Sequence, residues 1–336
     1  MTTAREHTEE VATRVTEHVA LARLIGREPV FISTVEKIPI VARANSPVLI
    51  LGETGTGKEL CARAVHQLSR RRHLPFIPVD CGALPDFLFE NELFGHVRGA
   101  FTDAHRDQRG LVAMAAGGTL FLDEIDSLTP AAQAKMLRLL QEGTYKPLGA
   151  DQFSRADVRI IAATNLDLQH LVQLKKFRSD LYFRLNVLRL VMPPLRDRRD
   201  DILLLAQHFV QVLCDEAGIS RKSLAPAAIE QLSRGAWPGN VRELFNVIQQ
   251  AVVFAEGPTI STSHLAVSDD GLPPSAVAGG FREARARALE AFERSYVENL
   301  LRKHNGNVTR SAREAKKDRR AFGRLIKRYQ IDRGMV

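Results

Sequence analysis

A glycine-rich run directly after an apolar stretch constrains the fold of this chain more than any other feature. The apolar residues 48–51 predict a buried strand, and the next residues are Gly52, Glu53, Thr54, Gly55, Thr56, Gly57 and Lys58. The three glycines permit positive φ and close backbone approach, so that successive N–H groups can point at phosphate oxygens. Lysine at the opening of the following helix adds a positive charge. The run therefore predicts a P-loop that holds a nucleoside triphosphate.

One position departs from the general P-loop pattern, in which a Ser or Thr hydroxyl after the lysine binds Mg²⁺. Glu59 occupies that position, and a second apolar run at 118–122 ends in Asp123 and Glu124. We expect Asp123 to hold the Mg²⁺ shell and Glu124 to polarise the attacking water. A strand that ends in two acids can be an ordinary capped strand. Together with the P-loop, however, it predicts a nucleoside triphosphatase.

The composition limits the other classes of protein to which this chain can belong. The chain has 336 residues, 45% hydrophobic and 26% charged, as expected of a globular protein with two or three domains. Its first residues contain no apolar signal region, and no apolar run approaches the roughly 20 residues that span a membrane. We therefore expect a cytoplasmic protein without membrane association. The three cysteines form no CxxC and the histidines no HExxH, so neither a disulfide nor a protein-held zinc is predicted.

Positive charge is concentrated near the end of the chain. Residues 302–333 contain twelve Lys or Arg against three acidic residues, whereas the formal charge of the whole chain is only +8. A basic block on a nearly neutral body is typical of a nucleic-acid-binding appendage, but a solvated helix face has the same composition.

Apolar spacing favours the first interpretation. It predicts one amphipathic helix from Leu289 to Leu300, a turn at 305–307, a short second helix that begins near Val308, and a third with Phe322 and Ile326 in its buried stripe. A short helix, a turn and a basic helix form the helix-turn-helix layout, whose last helix enters the DNA major groove. The basic face of that helix holds the expected DNA-binding residues, Arg319, Arg320, Arg324, Lys327 and Arg328.

The remaining organisation follows from patterning. Apolar strands alternate with helical stretches over 26–193, which predicts an α/β core with a parallel sheet. After two prolines the pattern becomes wholly helical over 194–267 and predicts a helical lid. A short N-terminal segment (1–25) with valines four apart precedes the core, and a flexible linker (268–282) separates the lid from an all-α domain at 283–336.

With these elements in hand, the chain resembles the bacterial enhancer-binding proteins, the AAA+ activators of sigma-54 RNA polymerase. Glutamate at position 59 is the form that the family's P-loop takes. The most specific likeness is residues 92–96, which are similar to the family's ELFGH segment. They are followed by a variant of its GAFTGA loop, Gly99, Ala100, Phe101, Thr102, Asp103 and Ala104, which would contact sigma-54.

The resemblance implies an AAA+ P-loop NTPase core, a lid and a Fis-type helix-turn-helix. It also implies roles for single residues. Asn165 resembles sensor I and would help place water, whereas Arg178 and Arg184 resemble arginine fingers that reach the γ-phosphate of a neighbouring subunit. Arg242 resembles sensor II and would bind phosphate in its own subunit. The implied cofactors are ATP and Mg²⁺, and the implied partners are sigma-54 RNA polymerase holoenzyme, upstream enhancer DNA and further copies of the chain, from dimer to hexameric ring.

Three departures from the family pattern carry expectations of their own. Asp103 replaces a glycine at the loop tip, which adds a negative charge and a conformational cost if its φ is positive. Asp80 stands where the family commonly has the asparagine that restrains the catalytic glutamate, so it would repel Glu124 and alter the switch. Lys316 and Lys317 occupy the helix-turn-helix turn, and Gly323 lies in the third helix, so that domain would be marginal alone.

Three functions are compatible with these features. The leading one is a DNA-bound ATPase ring that remodels the closed sigma-54 promoter complex. The second is a DNA-binding AAA+ regulator that acts without sigma-54, which the charge of Asp103 favours. The third, an unrelated AAA+ motor such as a helicase or protease motor, is disfavoured by the ELFGH-to-GAFT segment. Because no receiver or ligand-sensing domain precedes the ATPase, we expect control through expression level or a separate protein acting in trans.

Overall fold

The computed structural model describes residues 20–83, 85–265, 301, 304, 307–315, 322–323 and 326. The chain divides into two compact units, 1–269 and 270–336, which are described separately. The predicted N-terminal helix around Val15, the linker at 268–282 and Lys316 and Lys317 lie outside the described residues. So do the predicted DNA-binding residues, Arg319, Arg320, Arg324, Lys327 and Arg328.

A five-stranded parallel sheet forms the centre of the first unit. Its order is β2-β3-β4-β1-β5, and its strands are β1 (Val48–Leu51), β2 (Phe76–Asp80), β3 (Thr119–Asp123), β4 (Arg159–Thr164) and β5 (Leu188–Val191). Successive side chains of a strand point to opposite faces of the sheet. Both faces are apolar here, as in parallel sheets that are covered on both sides. Leu120 and Leu122 pack in one core cluster, whereas Phe121 between them packs in another. The predicted parallel α/β core is thus confirmed, and the two strands predicted from the apolar runs at 48–51 and 118–122 are β1 and β3.

Helices cover the sheet and form the lid. Those of the core are α1 (Pro29–Val35), α2 (Ile38–Arg43), α3 (Lys58–Gln67), α4 (Asp86–Phe94), α5 (Leu111–Met114), α6 (Pro130–Glu142), α7 (Leu168–Gln173) and α8 (Ser179–Leu185). The lid contains α9 (Asp200–Glu216), α10 (Pro226–Arg234) and α11 (Asn240–Phe254). Within the described ranges, no helix has the length and apolar character needed to cross a bilayer.

The lid is not wholly helical, so that expectation was wrong. Ser223–Leu224 and Thr259–Ile260 form a two-stranded parallel pair, and the Ser223 N–H donates to the carbonyl of Pro258 at 2.8 Å. Pro226 at the start of α10 favours extended backbone in the residue before it. The lid core, which includes Trp237 and Leu244, holds the second extended segment beside the first, and the two pair because their backbone groups need partners.

The second unit is described at few residues. Its helix α12 (Val308–Glu314) begins after Asn307, whose side-chain oxygen accepts N–H groups of Thr309 and Arg310 at 3.1 and 3.2 Å. This is an N-cap in the predicted turn. Four apolar side chains are buried together, Leu301, Ala312, Phe322 and Ile326, and Phe322 and Ile326 were predicted to be buried. A Cβ added to Gly323 would meet nothing within 4 Å. The helix-turn-helix itself stays a prediction.

Candidate active site

The carboxyl ends of the sheet strands bring the predicted nucleotide residues together. Gly55 and Gly57 follow β1 with φ of 79° and 98°, in the region that favours glycine. A Cβ on Gly55 would lie 2.2 Å from the carbonyl oxygen of Gly239 in the lid. No larger residue therefore fits at position 55, because the loop packs directly against the lid.

Lys58 begins α3 at the end of this loop and is only 9% exposed. Its ammonium group donates to the carbonyl oxygens of Gly52 and Glu53 at 2.9 and 3.2 Å. Burial lowers the pKa of Lys58 from its ordinary value, while the charges of Asp123 and Glu124 oppose that shift. The Lys58 ammonium, which these carbonyl oxygens hold at the base of the P-loop, is therefore well placed to bind phosphate oxygens.

Asp123 and Glu124 lie where β3 ends. The Asp123 carboxylate accepts the N–H of Glu124 at 3.0 Å, and Glu124 has a left-handed φ of 53°. Such a conformation is costly for a non-glycine residue and is typical of functional sites. Burial, followed by the charges of Asp80 and Asp123, raises the pKa of Glu124. A carboxylate of raised basicity at this position can take a proton from water.

Asp80 lies beside Glu124, as the sequence suggested. The two strands β2 and β3 place it level with Asp123, and its side chain accepts the N–H of Gly82 at 2.9 Å. A Cβ added to Gly82 would lie 2.7 Å from Glu124 Oε2 and 3.6 Å from Asp80 Oδ1. The Asp80 and Glu124 carboxylates therefore lie next to the same point beside Gly82.

Replacing Asp80 by Asn tests this arrangement. An amide removes the repulsion and can donate a hydrogen bond to Glu124, which lowers its basicity. We expect Asp80→Asn to reduce the basal ATPase rate by about three- to tenfold, the order of one hydrogen bond, with nucleotide affinity unchanged. Steady-state hydrolysis and binding of a fluorescent ADP analogue measure both. An unchanged rate would exclude Asp80 from control of Glu124.

A cavity of about 360 Å³ opens above these residues. Four of its lining residues lie outside the predicted set, Leu60, Phe209, Val241 and Phe245. The rings of Phe209 and Phe245 meet edge to face, with centroids 5.2 Å apart. The remaining lining residues were all predicted: Thr54, Gly55, Gly57, Lys58, Glu59, Asp123, Glu124, Asn165 and Arg242. Phosphate-binding and apolar groups thus meet in one cavity of the size that small ligands occupy.

Asn165 follows β4 and completes the polar wall. Its side-chain amide donates to Thr54 Oγ1 at 3.1 Å, and the preceding Thr164 hydroxyl donates to Asp126. Asp123 and Glu59 line the cavity. The Glu59 carboxylate accepts two hydrogen bonds from Arg63, at 2.9 and 2.7 Å, whereas Asp123 offers the oxygen ligands that Mg²⁺ prefers. Among the described residues, no group of three or more His, Cys, Asp or Glu could hold a metal by itself.

Some predicted residues do not line this cavity. Arg178 is exposed and forms a two-bond ion pair with Asp180, at 3.0 and 2.8 Å. Arg184 lies exposed on α8. Neither is in the wall of the cavity of its own chain, which is compatible with a role in a neighbouring subunit.

The P-loop is fastened to the lid, a feature that sequence reasoning missed. Glu53 belongs to the predicted nucleotide-binding loop, and its carboxylate accepts two hydrogen bonds from Arg196 at 2.8 and 2.6 Å. It also accepts one from Asn240 at 3.2 Å. The Val241 N–H donates to the carbonyl of Gly55 at 3.0 Å. The Thr56 hydroxyl also bonds within the protein, since it donates a hydrogen bond to the carbonyl of Glu53 at 2.8 Å.

The loop at 99–104 projects from a hairpin of Gly95–His96 with Gln108–Arg109. It is closed by a hydrogen bond from the Gly99 N–H to the carbonyl of Ala104 at 2.8 Å. The Phe101 ring lies 4.9 Å from that of His96, whereas Thr102 and Asp103 are exposed. Asp103 does not have a positive φ, so the expected backbone cost of replacing glycine is absent and only the added charge remains.

Comparison with known families agrees with this geometry. Residues 24–191 match the model of the sigma-54 interaction domain, and residues 196–272 match that of the AAA+ ATPase lid domain. The first match contains the P-loop, the acidic strand end and the 99–104 loop, and the second contains Arg196 and Arg242.

Known proteins are similar over most of the chain. The transcriptional regulatory protein GlrR of Escherichia coli K12 is 41% identical over 309 residues, 92% of this chain and 68% of GlrR. The regulatory protein AtoC of the same organism is 42% identical over 315 residues, with 92% of this chain and 68% of AtoC covered. The crystal structure of NtrX from Brucella abortus in complex with ADP superposes with a TM-score of 0.70 at 30% identity, over 97% of this chain and 73% of NtrX.

Proposed function

Because the chain belongs to the family of sigma-54-dependent transcriptional regulators, we propose that it is an activator that couples ATP hydrolysis in an oligomeric ring to remodelling of the closed sigma-54 RNA polymerase promoter complex. One observation carries the proposal. The phosphate cradle, the acidic pair and the sensor residues Asn165 and Arg242 share one cavity, while the 99–104 loop presents Thr102 and Asp103 to the outside.

The cavity residues divide the work of hydrolysis. Backbone N–H groups of the P-loop and the Lys58 ammonium bind the phosphates. Glu124, with its raised pKa, accepts a proton from the attacking water, and Asn165 orients that water. Asp123 would hold Mg²⁺, which offsets phosphate charge when bound. Arg242 reaches the phosphates from the lid. The ADP bound to NtrX supports an adenine nucleotide as the ligand.

A ring completes the site. Arg178 and Arg184 are exposed and absent from the cavity of their own chain, so they can offset transition-state charge only at a neighbour's nucleotide. An arginine supplied in this way is worth about 10³ to 10⁵ in rate. We propose assembly from dimer to a hexameric ring, with hydrolysis dependent on it.

Sigma-54 and enhancer DNA are the two partners that we propose. The exposed loop tip would contact sigma-54, with Phe101 packed on His96 as its support. The C-terminal unit would bind upstream enhancer DNA through the basic face at Arg319, Arg320, Arg324, Lys327 and Arg328. The buried positions Ala312, Phe322 and Ile326 support that proposal, since they are the apolar stripe that such a fold requires.

Capture of sigma-54 by the nucleotide-trapped chain tests the function. With ADP and aluminium fluoride, we expect the wild-type chain to form a stable complex with sigma-54, because Asp103 distorts no backbone. Asp103→Gly should bind at least as tightly, since it removes a charge from an exposed contact. Phe101→Ala should abolish the complex while ATPase activity persists. Active ATPase without any complex would contradict the assignment. Native gel mobility of purified components measures all three.

A further inference from the structure

Glu53 is part of the P-loop, yet its carboxylate serves the lid. Arg196 binds it with two parallel hydrogen bonds, Nη1 to Oε2 at 2.8 Å and Nη2 to Oε1 at 2.6 Å. This fork geometry fixes direction as well as distance. Arg196 lies in the turn Leu195–Asp197, where the chain passes from the sheet into the lid. The hydrogen bonds from Arg196 lower the pKa of Glu53, so the pair is ionised at neutral pH.

Asn240, the first residue of α11, joins the same contact. It is fully buried and has a left-handed φ of 54°. Its amide nitrogen lies 3.2 Å from Glu53 Oε2 and 3.0 Å from the carbonyl of Thr54. Its oxygen accepts the N–H of Leu195 at 2.7 Å. One side chain therefore contacts both the P-loop and the turn at 195–197. These contacts hold Asn240 in a backbone conformation that is costly for a non-glycine residue.

Arg242 follows Asn240 by two residues. The Arg242 Cβ would lie 3.1 Å from a Cβ at Gly55, and the intervening Val241 N–H donates to the carbonyl of Gly55. Any shift of the first turn of α11 against the P-loop consequently moves the Arg242 guanidinium relative to the phosphates.

We propose that Glu53, Arg196 and Asn240 form a latch that positions Arg242 over the bound nucleotide and so couples the geometry of the P-loop to that of the lid. The inference rests on the ATPase function proposed above. The three are positioning residues: they act on the substrate through Arg242.

A role in general stability explains these contacts less well. The Glu53 and Arg196 side chains are 40% and 47% exposed, and exposed ion pairs add little to folding stability. The buried member is Asn240, and its side-chain hydrogen bonds join Glu53 and Thr54 of the P-loop to Leu195 and Pro238 of the lid. The contacts are therefore arranged to set the relation between two parts of the chain.

Two substitutions open the latch with little change of shape. Glu53→Gln removes the charge that Arg196 binds. Asn240→Asp keeps the acceptor for Leu195 but replaces the donor that faces Glu53 by a second anionic oxygen. In the full-length chain we expect each to weaken binding of a fluorescent ADP analogue and to raise KM for ATP by about tenfold, the order of one charge-assisted hydrogen bond. The kcat at saturating ATP should change less than threefold.

The control is a lid ion pair of the same type. Arg234 contacts Glu230 at 2.5 Å, one turn apart on α10. Arg234→Ala should leave KM, kcat and the melting temperature at wild-type values.

Double mutants separate a latch from a merely structural contact. If Glu53 acts through Arg242, the tenfold loss caused by Glu53→Gln should vanish in an Arg242→Ala background. Additive losses in that background would overturn the inference, as would wild-type affinity in both Glu53→Gln and Asn240→Asp. The inference would also be overturned if the variants that lose affinity have a lower melting temperature than the wild-type chain when no nucleotide is present. Failure of the ATPase proposal would be seen separately, as a wild-type chain that binds no nucleotide.

Discussion

Glu124→Gln is expected to bind ATP almost as tightly as the wild-type chain and to hydrolyse it about 10² to 10⁴ times more slowly, the usual contribution of a general base. The amide has the shape of the carboxylate but cannot accept a proton. Glu124 is exposed in the nucleotide cavity, whereas the phosphate cradle is built by backbone groups and Lys58. Binding and chemistry therefore depend on different residues, and only chemistry should fail.

The local backbone strengthens this expectation. Glu124 has a φ of 53°, and Gln meets the same conformational cost as Glu, so a loss of rate cannot come from relaxed strain. A single-turnover measurement with radiolabelled ATP gives the rate, and a fluorescent analogue gives the affinity. Glu142→Gln is the matched control, since Glu142 is exposed at the end of α6, where Arg138 is its partner. Hydrolysis by Glu124→Gln within threefold of wild type would remove Glu124 from the role of base.

Much of the core could be predicted because its signals are local. Each sheet strand is a short apolar run, and parallel strands end at the same edge of a sheet, so motifs that follow such runs must converge. The sequence assigned Lys58, Asp123 and Glu124 to the nucleotide from such motifs and Asn165 from the family resemblance, and all four line one cavity. The same argument has no means to place Arg178 or Arg184, because their proposed target lies in another molecule.

The errors and omissions have physical causes. The pairing of Ser223–Leu224 with Thr259–Ile260 joins segments distant in sequence, which periodicity cannot detect. The contact between the Glu53 side chain and Arg196 was not predicted, because loop composition does not show which way a side chain turns and Arg196 is 143 residues away. Phe209 and Phe245 follow helical spacing, so nothing in the sequence separates cavity walls from lid core.

The second large effect concerns a site shared between subunits. Arg184→Ala should lower kcat by about 10³ or more, the worth of an arginine finger in related phosphoryl transfer. The substitution should leave nucleotide binding intact, since Arg184 is absent from the cavity of its own chain. Steady-state ATPase assays at concentrations that support the ring measure the loss. A loss that appears in binding rather than in rate would contradict a role in the transition state.

Mixing mutants distinguishes action in trans from every effect within one chain. Glu124→Gln subunits retain Arg184, and Arg184→Ala subunits retain Glu124, so a mixed ring contains some complete sites wherever the two are neighbours in the correct order. In a head-to-tail ring assembled at random from equal amounts, about a quarter of the sites are complete, and activity should rise from background to about that fraction of wild type.

Lys58→Ala mixed with Glu124→Gln is the control, because both defects lie in the same half of a site and cannot complement. Recovery in the control, or none in the test mixture, would place Arg184 outside the neighbour's site. Recovery in the test mixture alone would mean that hydrolysis requires the ring.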